Sequence, residues 1–177
     1  SAAAQAERAQ QFTRKVERVE GLLGRAQSLE PHDIRPVRAL VRKRLGEIEA
    51  EVRRLGAVAQ GPGHSALGRG YVALHEYERG RRHLERAWQS GQRTPEVAYA
   101  LGLALGKLYE RELRELRHLP DRKSREARRK EIEATLRDPA RRYLRQCAGE
   151  DLAAPEYVEA LLAYYENRDA EALVKTR

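Results

Sequence analysis

The chain repeats the tripeptide Ala-Leu-Gly at residues 66–68 and 100–102, an interval of 34 residues. Fixed self-similarity of about this length is typical of helical repeat proteins, in which two antiparallel helices bury their apolar faces by stacking on neighbouring pairs. The composition agrees, because the chain is rich in Ala, Leu, Arg and Glu, which form helices readily. We therefore predict an all-α fold built from stacked helix pairs, a short α-solenoid.

Residues 61–94 fit one such helix pair. Gly68 lies in the predicted first helix, and Gly80 and Leu84 share one face of the second. A glycine inside a helix costs about 1 kcal/mol relative to alanine, so the two glycines indicate places where a side chain would collide with the partner helix. The spacing is that of a tetratricopeptide repeat.

The next repeat begins in the same way and then contains an insertion. The interval from Leu101 to Leu161 is 60 residues instead of 34, which leaves 26 additional residues around 109–135. Helix formers lie on both sides of a break at 119–121, so we expect an elongated hairpin that protrudes, with both of its helices lengthened. The predicted repeats are 61–94, 95–154 and, in part, 155–177.

The second-helix pattern resumes after the insertion. Ala140 and Leu144 follow the spacing of Gly80 and Leu84 in the first repeat. Cys147 continues this pattern, and we expect it to be an inert thiol in the core. Because it is the only cysteine, the chain can form neither an internal disulfide nor a thiolate metal cluster.

Residues 1–60 form a different unit. Apolar residues recur at three- and four-residue spacing in two segments, which predicts an amphipathic helical hairpin. Asp33 is a good N-cap for the second of these helices, and residues 28–31 supply the bend. The Gly-rich segment 56–63 has the composition of a connector and places a subdomain boundary near residue 60. We expect the hairpin to cap the first repeat.

Charge and histidine spacing limit the classes of function. The chain has 35 Lys and Arg against 27 Asp and Glu, a net charge of +8 that attracts anionic partners only weakly. The five histidines include no i, i+4 pair on one helix face, so we predict no metal site and no cofactor. No catalytic motif and no apolar run of membrane-spanning length are visible, which predicts a soluble, non-enzymatic fragment.

The basic segment 122–130 allows two interpretations. Its sequence, RKSREARRK, suits contacts with phosphate, whereas Glu126 interrupts the basic run and no aromatic side chain is available to stack on a base. A solvated helix face is the favoured interpretation, and weak nucleic-acid binding is the alternative.

Stacked helix pairs offer a curved surface, lined by their first helices, on which proteins or peptides bind. We predict a binding site for a protein or peptide ligand on this surface, and its lining residues would be Arg69, Tyr99, Leu103, Lys107, Glu159, Ala163 and Glu166. Our hypothesis is that binding alters how two copies of the chain associate as a homodimer. The alternative is a structural or oligomerisation scaffold.

Six stretches of the chain, in a fixed order, cover most of its length: AQQFTRKVERVE (9–20), LEPHDIRPVRALVRKRLGEIEAEVRRLG (29–56), GPGHSALGRGYVAL (61–74), LERAWQSG (84–91), PEVAYALGLALGKLYERELRE (95–115) and APEYVEALLAYYE (154–166). In this order they resemble the C-terminal region of a group of bacterial serine/threonine protein kinases. The resemblance implies that a cytoplasmic kinase domain and a single membrane span precede a sensor region on the extracytoplasmic, periplasmic side. A cytoplasmic location is the alternative.

The tetratricopeptide pattern is incomplete in one respect. His64 stands where that family usually has Trp, and Gln92 stands where it usually has Pro. The lining residues also differ from the Lys and Asn pattern of tetratricopeptide domains that clamp a C-terminal carboxylate, so that ligand is not expected.

Overall fold

A computed structural model describes residues 1–28, 33–152 and 155–175, with side chains up to Glu166 in the last range. Every regular element in these ranges is helical, which confirms the predicted all-α fold class. The α-helices are α1 (Ala2–Ser28), α2 (Arg35–Leu55), α3 (Gln60–Ala73), α4 (Tyr77–Gln89), α5 (Pro95–Glu115), α6 (Arg122–Ile132), α7 (Asp138–Cys147) and α8 (Pro155–Lys175).

Short irregular helices link some of these elements. Two 3₁₀ turns cover Gly56–Ala59 and Leu116–His118, and a π-helical segment, Glu133–Arg137, joins α6 to α7. The π-helical segment was not expected from the sequence. It holds the largely buried Arg137 guanidinium 3.4 Å from the carboxylate of Glu133 and 3.0 Å from that of Asp138.

The chain divides into two compact units, Ser1–Arg93 and Thr94–Arg177. The sequence placed a boundary near residue 60 instead. The structure differs because the predicted cap shares one apolar core with α3, which in turn packs closely on α4, so that α1 and α2 belong to the same unit as α3 and α4. The large side chains of this core are Phe12, Val16, Val19, Leu23, Val41, Leu45, Ile48, Val52, Leu67, Tyr71 and Leu74.

The Gly-rich segment 56–63, predicted to be a connector, is helical. Gly56 ends α2 with a φ of 63°, and the chain then passes through a 3₁₀ turn directly into α3. A Cβ at Gly63 would collide with Val52 of α2, and one at Gly70 would lie 3.2 Å from Leu45 Cδ1. Gly63 is therefore explained by the close approach of α3 to α2 and not by a flexible link.

The glycines of the first helix pair lie where the sequence predicted a close approach. A Cβ at Gly68 would collide with Leu84 and would lie 2.8 Å from its Cδ2 atom. A Cβ at Gly80 would lie 3.1 Å from the carbonyl oxygen of Gly68. The backbones of α3 and α4 thus meet at residues that have no side chain.

The unit Thr94–Arg177 repeats this contact with its own residues. A Cβ at Gly102 of α5 would lie 2.6 Å from Leu144 Cγ and 3.3 Å from the carbonyl oxygen of Ala140. Ala140, Leu144 and Cys147 are all fully buried, as the spacing predicted. Gly102 and Leu144 therefore make the contact that Gly68 and Leu84 make in the other unit.

The elongated hairpin is also present. Helix α5 has 21 residues, whereas α3 has 14. The returning arm is helical from Arg122 to Cys147, and the predicted break at 119–121 separates the arms. Asp121 caps the returning arm, because its side chain accepts a hydrogen bond of 2.7 Å from the Ser124 N–H.

Helix α5 begins where the second predicted repeat begins, whereas the N-cap of α2 differs by one residue from the predicted one. Helix α5 begins at Pro95, and the hydroxyl of Thr94 accepts a hydrogen bond of 3.3 Å from the Val97 N–H. For α2 the N-cap position is Ile34 and not Asp33, although an Asp33 carboxylate oxygen accepts a hydrogen bond of 3.0 Å from the Arg35 N–H. Most of the predicted bend at 28–31 lies outside the described residues.

Replacing Gly68 or Gly102 by alanine is expected to lower the free energy of unfolding by about 1–3 kcal/mol, because the new methyl group would press on Leu84 or Leu144. Gly46→Ala is the matched control, because Gly46 lies inside α2 and a Cβ there would meet nothing within 4 Å. This control should raise the free energy of unfolding by about 0.5–1 kcal/mol. Urea denaturation monitored by circular dichroism measures all three values. An equal loss in the control would contradict the close-approach explanation.

Candidate functional site

Three of the predicted binding residues lie along one helix. Tyr99, Leu103 and Lys107 follow one another at four-residue intervals on α5, and all three side chains are half-buried. The Lys107 ammonium lies 3.6 Å from a carboxylate oxygen of Glu110. The structure thus brings these three residues together as a stripe on α5.

Three further predicted residues, Glu159, Ala163 and Glu166, lie on α8 and are exposed. The Glu166 carboxylate lies 3.3 Å from the guanidinium of Arg145 on α7. Glu159 and Ala163 lie one turn apart and Glu166 follows within the next turn, so they share one side of the helix. They form a second short stripe in the unit Thr94–Arg177.

Arg69, the remaining predicted residue, lies in the unit Ser1–Arg93 and is covered by α1. Its side chain is only 18% exposed, and its guanidinium lies 2.7 Å from the Glu20 carboxylate. Burial raises the pKa of the Glu20 carboxyl group, while the charge of Arg69 opposes this shift. Helix α1 therefore lies on the side of α3 that the sequence assigned to a ligand.

The same packing creates a groove elsewhere in this unit. Helices α1 and α2 enclose about 770 Å³ of open space. Gly21 lies in the wall that α1 contributes, and the guanidinium group of Arg25 lies against it, 3.3 Å from the position that a Cβ atom would take. The groove is lined by Arg14, Lys15, Glu17, Arg18, Val19, Gly21, Leu22, Arg25, Arg44, Glu47 and Ile48. We call it the α1–α2 groove.

The charges of the α1–α2 groove are unevenly paired. Lys15 forms an ion pair with Glu51, and the Arg44 guanidinium lies 3.2 Å from the Glu47 carboxylate. Among the residues that the structure describes, no acidic side chain pairs with the three remaining arginines of the groove, which are Arg14, Arg18 and Arg25. The groove therefore carries three guanidinium groups that can bind an external anion.

These three arginines are arranged in a row. Residues 14, 18 and 25 fall on one face of a helix, and they span about 16 Å at 1.5 Å per residue. Leu22 contributes half-buried apolar surface to the same groove, and the buried side chains of Val19 and Ile48 lie at its floor. A ligand that fits would combine carboxylates or other anions along one edge with aliphatic side chains along the other.

The basic segment 122–130 is partly neutralised by its own surroundings. The Arg122 guanidinium lies 2.7 Å from the Glu126 carboxylate, and that of Arg128 lies 2.9 Å from the Glu112 carboxylate. Arg125 donates a hydrogen bond of 2.9 Å to the carbonyl oxygen of Leu119. These pairs favour the interpretation of the segment as a solvated helix face.

The described residues contain neither a cluster of metal ligands nor an exposed thiol. They contain no group of three or more His, Cys, Asp or Glu side chains that could hold a metal ion. Cys147 is buried, and burial raises the pKa of its thiol. Within the same ranges, each helix is too short or too polar to serve as a membrane span.

Comparisons of the chain with protein-family models, with curated proteins and with solved structures found no match. The α1–α2 groove is therefore described from its own residues. Sequence reasoning missed it because the curved surface of a repeat array directed attention to the first helices of the repeats. The spacing of Arg14, Arg18, Gly21 and Arg25 on one helix face could have revealed it.

Gly21→Ala is expected to raise the free energy of unfolding by about 0.5–1 kcal/mol, because alanine is the better helix former. A Cβ at Gly21 would meet only the far end of the long Arg25 side chain, with the closest atom at 3.3 Å. Gly70→Ala is the matched comparison and should destabilise the unit, because Leu45 occupies the space for its methyl group. Thermal unfolding of both variants measures the difference. If Gly21→Ala instead lowered the free energy of unfolding, residue 21 would be closely packed, which would contradict an open groove at this position.

Proposed function

We propose that this chain is a non-catalytic module that binds an acidic protein segment in the α1–α2 groove. The observation that carries the proposal is the row of Arg14, Arg18 and Arg25, which have no acidic partner in the described residues and lie beside apolar surface. An amphipathic helix that lies in a groove is a common mode of peptide recognition. Here the arginines would select carboxylates, and the apolar surface would bury aliphatic side chains.

A protein segment suits this groove better than a nucleic acid does. Leu22 and the aliphatic stems of the arginines can cover aliphatic groups of a peptide, whereas single-stranded nucleic acids need aromatic side chains for base stacking. The lining contains no aromatic residue. In addition, the pairing of Arg122 and Arg128 with nearby carboxylates weakens the case for nucleic-acid binding through 122–130.

We further propose that the module is the sensor or regulatory region of a bacterial serine/threonine protein kinase, on the extracytoplasmic side of a single-pass membrane protein. The six resembling stretches support this assignment, with a cytoplasmic location as the alternative. The matching contacts Gly68–Leu84 and Gly102–Leu144 support a tetratricopeptide-like helix pair in each unit. Ligand binding would then bias the attached kinase domains by changing how two copies associate.

The kinase assignment predicts the coding sequence ahead of Ser1. We expect it to encode a protein kinase domain followed by one apolar segment of about 20 residues, the length that spans a bilayer. Sequencing the complete gene tests this directly. A different domain at that place would contradict the kinase assignment and would leave the proposed peptide groove unaffected.

A structural or oligomerisation scaffold is the second candidate function. It is favoured by Tyr157 and Tyr164, two large side chains that are 41% and 38% exposed on α8. Residues seven apart share one helix face, so the two rings could contribute to contact between copies. Light scattering distinguishes the candidates, because a scaffold associates without ligand, whereas the proposed module changes its association only when peptide binds.

Arg14→Glu combined with Arg18→Glu is expected to weaken binding of an acidic peptide at least about tenfold, because attraction at two positions becomes repulsion. The probe is a fluorescein-labelled helical peptide with glutamates at matching i, i+4 and i+11 positions and leucines on the adjoining face. Fluorescence anisotropy measures its affinity. A peptide of the same composition in scrambled order should bind more weakly to the unchanged chain.

The matched control is Lys43→Glu combined with Lys123→Glu. Both lysines are exposed and lie outside the α1–α2 groove, and the change in net charge is the same. This control should retain the affinity of the unchanged chain to within about twofold. Equal losses in both double variants, or equal binding of the two peptides, would show that the attraction is a property of net charge and would refute the groove.

A further inference from the structure

A second charged groove lies between α2 and α4 in the unit Ser1–Arg93 and is independent of the proposed peptide site. It encloses about 420 Å³. Arg79, Arg82, His83 and Arg86 line it from one face of α4, Glu85 and Gln89 line it from the same helix, and Glu49 lines it from α2. We call it the α2–α4 groove.

The two acidic residues of this groove already have cationic neighbours. Glu49 lies 3.9 Å from the Arg79 guanidinium, and Glu85 lies 4.0 Å from that of Arg81. The Arg79 guanidinium is held over the ring of Tyr71, 4.2 Å from its centroid. In contrast, Arg82 and Arg86 are exposed and form no ion pair with any residue of the described ranges. Two guanidinium groups in the groove are thus available to an anion.

A chain of hydrogen bonds fixes the tautomer of each histidine next to the groove. The Gln60 side-chain nitrogen donates to the Gly56 carbonyl oxygen at 3.3 Å, so its side-chain oxygen faces His64. His64 Nε2 lies 3.1 Å from this oxygen and must donate a proton to it. His64 Nδ1 therefore has a lone pair, and His83 Nδ1, at 2.9 Å, must be the donor. The Nε2 atom of His83 remains an acceptor.

The imidazole of His83 is neutral at physiological pH. Burial, followed by electrostatic interactions with His64, Arg79, Arg86 and Arg82, lowers its pKa from 6.5 to about 4. The charged and titratable groups that face it are Arg79, Arg82 and Arg86 on α4, His64 and Tyr71 on α3, and Glu49 on α2. The groove therefore contains a neutral imidazole acceptor beside the guanidinium groups of Arg82 and Arg86.

A ligand complementary to this arrangement needs acceptor oxygens for the guanidinium groups and one hydroxyl hydrogen for the imidazole. A phosphate group that retains a proton has both, whereas sulfate and carboxylate lack the hydroxyl hydrogen near neutral pH. We propose that the α2–α4 groove binds a protonated phosphate group: Arg82 and Arg86 donate to its oxygens, and its P–OH donates to Nε2 of His83.

Isothermal titration calorimetry with three probes tests the proposal on the full chain. Inorganic phosphate, which retains a proton at about pH 5.5 and at about pH 7.5, should bind at least about tenfold more tightly than sulfate at both values. Phenyl phosphate, which loses its last proton near pH 6, should bind at least about fivefold more tightly at the lower pH. If phenyl phosphate fails to bind while inorganic phosphate binds, the site takes free phosphate and excludes esters.

The variant His83→Asn removes the proposed acceptor, Nε2, and keeps the guanidinium groups of Arg82 and Arg86. The amide nitrogen of asparagine can replace Nδ1 as the donor to His64, whereas nothing replaces Nε2. We expect this variant to bind sulfate like the unchanged chain and to lose its preference for phosphate. Arg82→Gln combined with Arg86→Gln should abolish binding of both anions, and Arg53→Gln combined with Arg54→Gln, two exposed arginines outside the groove, should change neither.

The outcomes that overturn the proposal are distinct from those that refute the peptide groove. Equal affinity for phosphate and sulfate, retention of the preference in His83→Asn, or the absence of anion binding at millimolar concentration would each overturn it. Arg14→Glu combined with Arg18→Glu should leave phosphate affinity unchanged, because these residues line the other groove. Loss of phosphate affinity in that variant would contradict the assignment to α4.

The neutral imidazole of His83 also predicts how stability depends on pH. The folded-state pKa of about 4 lies below the ordinary value of 6.5, so the unfolded chain binds more protons between these values. The free energy of unfolding should therefore fall as the pH decreases from about 6.5 towards 4. His83→Asn should make this decline shallower, as measured by urea denaturation at a series of pH values. An unchanged slope would show that His83 is solvated and protonates freely.

Discussion

The close approach of helix backbones at glycines is the constraint on which the unit Ser1–Arg93 depends. Helix α3 contains Gly61, Gly63, Gly68 and Gly70 within 14 residues. Each costs about 1 kcal/mol of intrinsic helix propensity, so the isolated segment would be a poor helix. What stabilises it is contact: Val52 and Leu45 of α2 and Leu84 of α4 fill the space that side chains would take. Helices α1 and α2 thus share one apolar core with α3.

The sequence was informative where spacing alone determines the contact. Gly68 and Leu84, and then Gly102 and Leu144, could be found because helical periodicity puts them on facing surfaces of consecutive helices. It was misleading at 56–63, because a Gly-rich stretch has the same composition whether it links two bodies or allows two helices to touch. Only the contact between Val52 and Gly63 in the structure shows that the helices touch here. The lining of the α1–α2 groove likewise depends on how two helices cross, which no local pattern encodes.

The net charge of +8 is not spread evenly over the arginines. In the elongated hairpin Arg122 and Arg128 lie beside glutamates, and at the π-helical segment Arg137 lies between Glu133 and Asp138. In the grooves of the other unit, several guanidinium groups have no carboxylate partner in the described residues. Exposed ion pairs contribute little to stability, so pairing in the hairpin mainly removes long-range attraction for anions. The two grooves of the unit Ser1–Arg93 therefore bring such guanidinium groups close together.

His64 shows why a departure from a repeat pattern is informative. It stands where the pattern usually has Trp, and it is only 5% exposed. A polar ring buried at such a position is tolerated only if both of its nitrogens are hydrogen-bonded. Gln60 satisfies one nitrogen and His83 the other, and the second bond determines which nitrogen of His83 is left for the groove. The histidine at this core position therefore determines which nitrogen of His83 can accept a hydrogen bond from a ligand in the α2–α4 groove. The pair was not predicted from the sequence, because i, i+4 spacing detects histidines on one helix, whereas His64 and His83 lie on α3 and α4.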